Sequence, residues 1–209
     1  ENVKRLSVQW NNQFTFPNNG VRGIQETNYY VDYQGVRFIA LNSNLMIEEQ
    51  SKWLEGVLKN NPNKWTIATF HHPVFSASRG RDNVTLRELW KPLFDKYKVD
   101  LALQGHDHTY TRGRVAPYEK NILSGNNVKD VTGTVYVVSV SGPKHYDVKP
   151  NWDQYEPTRY KAGENKQLFQ VISIDENKLS YRSYTAIGDL FDSFDLIKNE
   201  NGINTLINE

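Results

Sequence analysis

The sequence predicts an α/β fold in which a two-sheet β-sandwich is flanked by helices. In residues 28–104, strand patterns alternate with helix patterns, and this order favours a sheet covered by helices. From residue 133 onward the chain shows short strands of alternating polarity separated by turns, which is typical of antiparallel hairpins. The 209 residues suffice for one large domain with a single core.

Six elements are predicted in the first half of the chain. Two strands within residues 28–43 flank Gln34 and Gly35, a turn signal between aromatic and β-branched residues. Strand patterns also cover residues 65–70 and 99–104, and helix patterns cover residues 48–62 and 85–97. In the second helix, Thr85 and Glu88 form a capping box, and Pro92 marks a kink or a restart.

Four further strands are predicted in the second half of the chain. They cover residues 133–142, 168–175, 178–185 and 190–197, with turn sequences between the last three. Residues 143–167, which contain three prolines, are predicted to form a long surface loop. Residues 1–27 give no clear element.

Composition excludes several classes of function. With 25 basic and 24 acidic residues, the net charge of +1 gives no broad field for nucleic acid or an anionic membrane. No apolar run approaches the roughly 18 residues of a membrane helix. The absence of cysteine excludes disulfides, zinc fingers and thiol nucleophiles, which leaves histidine and oxygen atoms as metal ligands. Because the chain starts at Glu1, we expect that any targeting segment has been removed.

Four of the five histidines fall in two tight pairs, His71 with His72 and His106 with His108. Each pair lies where a predicted strand ends, and such loops are where a rigid scaffold presents chemistry. In extended backbone His106 and His108 would project together, and they would face His71 if the two strands are neighbours. Three neutral imidazoles there would suit a transition metal at about 2.0 to 2.1 Å each. The alternative is a set of solvated or hydrogen-bonded loop histidines without a metal.

These two segments carry a family resemblance. The sequences FHHPVFS at 70–76 and VDLALQGHDHTYTR at 99–112 resemble two metal motifs of the calcineurin-like metallophosphoesterases, most closely the purple acid phosphatase branch. The resemblance implies two divalent or trivalent metal ions, from among iron, zinc and manganese, and hydrolysis of a phosphate ester by a metal-bound hydroxide. It further implies that His71 and His106 bind one metal and that His108 binds the other.

The resemblance also suggests residues on the substrate side. His72 is not a ligand in the family pattern, so it would lie near the phosphate or simply pack. Arg81 follows the first histidine pair, where relatives place substrate-contacting histidines, and its guanidinium could form a fork on a phosphate. Tyr110 continues the alternation from His108 and could border the pocket. The alternatives are a solvated arginine and a structural tyrosine. No residue is assigned a catalytic role.

Part of the family pattern is missing. The motifs Asp-x-His, Gly-Asp-x-x-Asp and Gly-Asn-His, which supply the bridging aspartate and other ligands, do not occur in order. One literal match to Gly-Asp-x-x-Asp occurs, at residues 188–192. It lies between two predicted strands and is interpreted as a hairpin turn. We therefore expect residues 1–209 to be the C-terminal part of one metallophosphoesterase domain, incomplete at its N-terminus, that binds metal weakly and has little activity alone.

Partners and location follow from the same resemblance. The expected partner is a phosphate-ester substrate, with neither nucleic acid nor membrane. Sheet edges left without their upstream strands would favour self-association or pairing with the missing N-terminal part. The family implies a secreted or periplasmic protein.

Two other functions remain open from the sequence. An aromatic content of 12% and many asparagines would suit a non-catalytic, carbohydrate-binding β-sandwich module, although aromatic residues more often build ordinary cores. The histidines would also suit a mononuclear His-ligated metalloprotein with unrelated chemistry.

Overall fold

Three layers make up the fold in the computed structural model, which describes residues 6–117, 131–148, 158–163 and 165–208. Helices cover one face of a seven-stranded sheet, and a five-stranded sheet covers the other face. This confirms the predicted α/β fold with two sheets and flanking helices. Among the described residues, no helix combines the length and apolar character needed to cross a membrane.

The helices are short except for one. They are α1 (Trp10–Gln13), α2 (Ile47–Lys59), α3 (Val84–Leu89) and α4 (Lys91–Lys96). The strands of the larger sheet are β1 (Tyr29–Tyr33), β2 (Val36–Ala40), β3 (Trp65–Phe70), β4 (Leu101–Gln104), β5 (Tyr110–Arg114), β7 (Val135–Val138) and β8 (Thr158–Gly163). The strands of the smaller sheet are β6 (Val131–Thr132), β9 (Leu168–Asp175), β10 (Lys178–Thr185), β11 (Leu190–Lys198) and β12 (Asn204–Asn208).

The larger sheet has a parallel centre. Its strand order is β1-β2-β3-β4-β7-β5-β8, and β2, β3, β4 and β7 run parallel to one another. The predicted hairpin between β1 and β2 is confirmed, with Gln34 and Gly35 both at positive φ, as a two-residue turn of this kind requires. The carboxyl ends of four strands therefore meet at one edge of the sheet, where ligand sites are common in such folds.

The alternation of side chains along β3 builds both cores. Trp65 and Ile67 face the second sheet, whereas Ala68 and Phe70 face the helices, and all four are buried. Helix α2 contributes a stripe of buried residues to the helical side, as its sequence pattern predicts. The packing inside the sandwich thus fixes the direction in which the last side chain of each strand points.

The smaller sheet is antiparallel, as predicted, with strand order β6-β12-β11-β10-β9. Gly188, at positive φ, lies in the turn between β10 and β11, so the Gly-Asp-x-x-Asp match at 188–192 begins in a hairpin turn, as predicted, and its last three residues begin β11. The two sheets are joined by buried ion pairs. Lys198 lies 2.6 Å from Asp100, and Arg112 lies 2.7 Å from Asp192.

The structure differs from several predicted details and confirms one. The capping box is absent, because the helix begins at Val84 after Asn83, which places Thr85 inside the first turn and leaves it unable to cap. The restart at Pro92 is confirmed, since α4 begins at Lys91 with proline in its first turn. The predicted loop at 143–167 contains β8, which pairs with β5 despite nearby turn residues. Its residues 149–157 and 164 lie outside the described part.

Candidate metal centre

The candidate site lies at the edge where the four parallel strands end. His71 and His72 directly follow β3, and His106 follows β4 after a single glycine. Strands β3 and β4 are neighbours, with Phe70 opposite Gln104. The amide of Gly105 donates to the carbonyl of His71 at 3.0 Å, which ties the two histidine segments together. The condition on which the predicted site depended, adjacent strands, is therefore confirmed.

Three histidines converge at this edge. The ligand nitrogens of His71, His72 and His106 all lie within 4.8 Å of one another. His106 Nδ1 is 3.0 Å from His71 Nε2, and the ring of His72 lies 4.2 Å from that of His106. Within the described residues this group contains no carboxylate.

The spacing of His71 and His106 fits a shared metal ion. Two ligands at about 2.0 to 2.1 Å from a tetrahedral or octahedral ion lie about 2.8 to 3.4 Å apart. The separation of 3.0 Å between His106 Nδ1 and His71 Nε2 falls within this range. Three nitrogen donors suit zinc or a similar transition ion, and they leave coordination positions for oxygen ligands.

His72 is oriented by a residue from a third strand end. Ser43 follows β2. Its hydroxyl lies 2.9 Å from His72 Nδ1 and accepts a hydrogen bond from the backbone amide of His72 at 3.0 Å. A partner on Nδ1 leaves Nε2 as the nitrogen available to a metal. His72 is therefore a member of the cluster, although the sequence motif gave it no ligand role.

The segment from His106 to His108 is not extended. His106 and His108 have φ of +69° and +54°, so both adopt the left-handed conformation. The expectation that they alternate as in a strand is wrong at this point, and His108 instead has its Nδ1 2.9 Å from the carbonyl of Lys144. His108 is near enough that its charge contributes to lowering the pKa of His71.

Asp107 holds this turn in place from inside the protein. Its fully buried carboxylate accepts hydrogen bonds from Ser76 Oγ and from the amide of Ala77, both at 2.8 Å. Arg81 donates to the carbonyl of His106 and lies 3.4 Å from the other oxygen of Asp107. These contacts fix both histidine loops to each other.

Burial and nearby positive charges favour the neutral forms of His71 and His106. Desolvation, followed by the charges of Arg81, His71 and His108, lowers the pKa of His106 to about 4. Desolvation and the charges of His108 and Arg81 also lower the pKa of His71. Because only neutral imidazole binds a metal, His71 and His106 are ready to do so near neutral pH.

The structure separates the predicted substrate-side residues. Arg81 lies at the cluster, through its contact with His106. Tyr110 is fully buried between the sheets, with its hydroxyl 2.6 Å from Asp192, so the structure does not bring it to the histidines. The left-handed turn at 106–108 shifts the alternation that placed Tyr110 at the pocket.

Sequence reasoning missed several residues of the site. Ser43 could have been found, because it follows a predicted strand just as the histidines do. Lys144, whose carbonyl lies beside His108, comes six residues after the end of β7, and no pattern marks it as a site residue. A cleft of about 370 Å³ opens beside His72 and is lined also by Ser43, Asn44 and Asn83. It has the volume of a small-molecule site.

Comparisons with known proteins identify sequence relatives of the chain. The sequence model of the family described as calcineurin-like phosphoesterase matches residues 1–110. The chain is 31% identical over 121 residues to Fe(3+)-Zn(2+) purple acid phosphatase 12 of Arabidopsis thaliana, and equally to a purple acid phosphatase of Glycine max. Each match covers 54% of this chain and 26% of the relative, so it spans about a quarter of the length of these proteins.

A solved structure shows the same fold. The purple acid phosphatase PPD1 from yellow lupin (Lupinus luteus) superposes with a TM-score of 0.66 at 22% identity. The superposition covers 90% of this chain and 35% of that protein. The two-sheet arrangement with flanking helices is therefore shared with a protein of this kind.

Proposed function

The chain belongs to the calcineurin-like phosphoesterase family, and from that premise we propose that it supplies the histidine ligands of a two-metal site that hydrolyses phosphate esters. The observation that carries the proposal is the convergence of His71, His72 and His106 within 4.8 Å at the carboxyl ends of β3 and β4. Purple acid phosphatases are the relatives to which the chain is similar, which favours phosphatase chemistry.

His71 and His106 are the proposed ligands of one metal, and His108 is the proposed ligand of the second. When bound, such ions lower the pKa of water and neutralise the charge of a phosphate. The described part of the cluster offers imidazoles only, so carboxylate ligands would have to come from elsewhere in the working protein. Without them we expect the 209-residue chain alone to hold metal weakly and to hydrolyse little.

The protein's own residues orient and enclose the substrate. Ser43 holds the His72 imidazole through a part-buried hydrogen bond, and Asp107 holds the turn that carries His106 and His108 through a buried one to Ser76. The cleft beside His72 offers space for part of an ester substrate. Arg81 can donate to a phosphate oxygen, because its guanidinium has five N–H groups and uses only some of them on His106 and Asp107.

Metal analysis and hydrolysis of p-nitrophenyl phosphate test this proposal. The full product of the gene should contain bound metal and hydrolyse the ester, and His106→Ala should abolish the hydrolysis. His145→Ala is the matched control, since it removes a histidine outside the cluster. Hydrolysis that is unchanged in the His106 variant would refute the proposal.

The other functions predict different results. A carbohydrate-binding module would bind sugars without metal, and a mononuclear metalloprotein would bind one ion without hydrolysing the ester. Family membership favours the phosphoesterase.

We also propose export from the cytoplasm and association through the sheet edges at β1 and β9. Cell fractionation would check the export, and the molecular mass of the protein in solution would check the association.

A further inference from the structure

The segment that follows β7 is fastened to both histidine loops. The amide of Tyr146 donates to the carbonyl of His108 at 3.1 Å, and His108 Nδ1 lies 2.9 Å from the carbonyl of Lys144. Val148 pairs with Ser78, just beyond the first histidine loop, in an isolated antiparallel bridge. These three contacts fix the position of the segment beside the cluster.

Two cations lie against one aromatic ring in this segment. The guanidinium carbon of Arg81 is 5.0 Å from the centre of the Tyr146 ring, and Lys144 Nζ is 5.2 Å from it. The Tyr146 ring also lies 5.0 Å from the ring of His108. Each cation gains from the face of the ring, but the two positive charges repel each other.

The phenol of Tyr146 adds a hydroxyl donor to the ring against which both cations lie. The ammonium, the guanidinium and the hydroxyl thus all belong to a group centred on one ring, which lies beside His108.

Negative charge is scarce around these donors. Asp107 faces Arg81 at 3.4 Å, but its carboxylate is fully buried and also accepts bonds from Ser76 and Ala77. In the part of the chain that the structure describes, no carboxylate forms an ion pair with Lys144, which is exposed. An anionic group would relieve the repulsion between the two cations.

We propose that Lys144, Arg81 and Tyr146 form an anion subsite that recognises a second acidic group, a carboxylate or a phosphate, on the leaving-group side of the ester substrate. The placement rests on the proposed function, since it takes the scissile phosphate to lie at His71 and His106. One imidazole, that of His108, separates the two positions. The preferred substrates are therefore phosphate esters whose leaving group is itself an anion.

Three aromatic esters test the subsite: phenyl phosphate, 4-carboxyphenyl phosphate and 1,4-phenylene bisphosphate. Binding is measured by NMR titration of the metal-free protein, which detects weak affinities and involves no hydrolysis. We expect at least one of the two acidic esters to bind about three- to tenfold more tightly than phenyl phosphate. Which one does so identifies the acidic group as carboxylate or phosphate.

Variants assign the preference to named residues. Lys144→Met should reduce it to less than about twofold, and Tyr146→Phe should weaken it while keeping the ring against His108. Lys52→Met, the same change at an exposed lysine of α2, should leave it intact. Equal binding of all three esters by the unaltered protein, or a full preference in Lys144→Met, would overturn the subsite.

The outcome is separable from that of the proposed function. Loss of the preference in Lys144→Met without any metal-dependent hydrolysis would support the subsite and refute the phosphoesterase. Hydrolysis that depends on His106, with no effect of Lys144 on binding, would refute the subsite and support the phosphoesterase.

Discussion

His106 Nδ1 lies 3.0 Å from His71 Nε2, although the two residues are 35 positions apart in the chain. The contact exists because β3 and β4 are parallel neighbours and because Gly105 donates to the carbonyl of His71. Two imidazole nitrogens at this distance either share a proton or share a metal ion. Metal binding is the first property that distinguishes these alternatives.

Removing one of these imidazoles should weaken metal binding. We expect His106→Ala to reduce zinc affinity by at least about tenfold, because it removes the donor that lies closest to His71. Calorimetric titration with zinc measures the change. His72→Ala then shows whether His72 is a third ligand beside His71 and His106, and His108→Ala shows whether binding of a second ion depends on His108. His145→Ala serves as the control. A His106 variant with unaltered affinity would show that the cluster is not a metal site.

Ser43 offers a test of how His72 is positioned. Ser43→Ala removes the hydroxyl 2.9 Å from His72 Nδ1, so the ring would lose its fixed orientation. Zinc affinity should fall by about tenfold, the usual effect of losing such a supporting partner. Ser51→Ala in α2, whose hydroxyl bonds only within its own helix, is the matched control. If both variants bind zinc equally well, His72 is not a ligand.

The sequence predicted which histidine segments meet more accurately than it predicted their local geometry. The parallel strands were recognisable from their apolar runs, and their ends placed His71 and His106 together. The left-handed turn at 106–108 was not recognisable, because non-glycine residues adopt it only when tertiary contacts hold them there. Asp107 makes those contacts with residues about 30 positions away.

The same limit applies to the missed strands. Strand β8 lies in a region of turn-forming residues and exists through its pairing with β5. The short strand β6 pairs with β12, which lies more than 70 residues further along the chain. Strand propensity depends on such neighbours, so local patterns do not predict these elements.

Asp107 should matter for stability as well as for the site. Asp107→Asn can keep one oxygen for Ser76 and Ala77, which both donate to Oδ2, but it removes the buried charge and turns the amide N–H₂ toward the guanidinium of Arg81, so that two donors face each other. We expect the free energy of unfolding to fall by about 1 to 3 kcal/mol. Urea denaturation measures it. Asp147→Asn, at an exposed position, should change it by less than about 0.5 kcal/mol. An equal effect of the two variants would contradict the role given to Asp107.

Asp195 makes stability depend on acid. Its side chain is 3% exposed and lies 2.5 Å from Lys178 and 3.0 Å from Arg182. Burial opposes the charged form, but hydrogen bonds from Lys178, Ser180 and Arg182 outweigh it and lower the pKa of Asp195 to about 2.

The sign of the pH effect follows from this lowered pKa. A carboxyl whose pKa falls from 3.8 to about 2 on folding contributes about 2 kcal/mol of stability, present above pH 3.8 and lost as the pH falls through 2. Asp195→Asn should therefore be less stable than the unaltered protein at pH 7, and the difference should vanish near pH 2. Urea denaturation at a series of pH values measures this, with Asp189→Asn in an exposed turn as control. A difference that is the same at pH 7 and pH 2 would mean that Asp195 stabilises the sheet through packing and not through its charge.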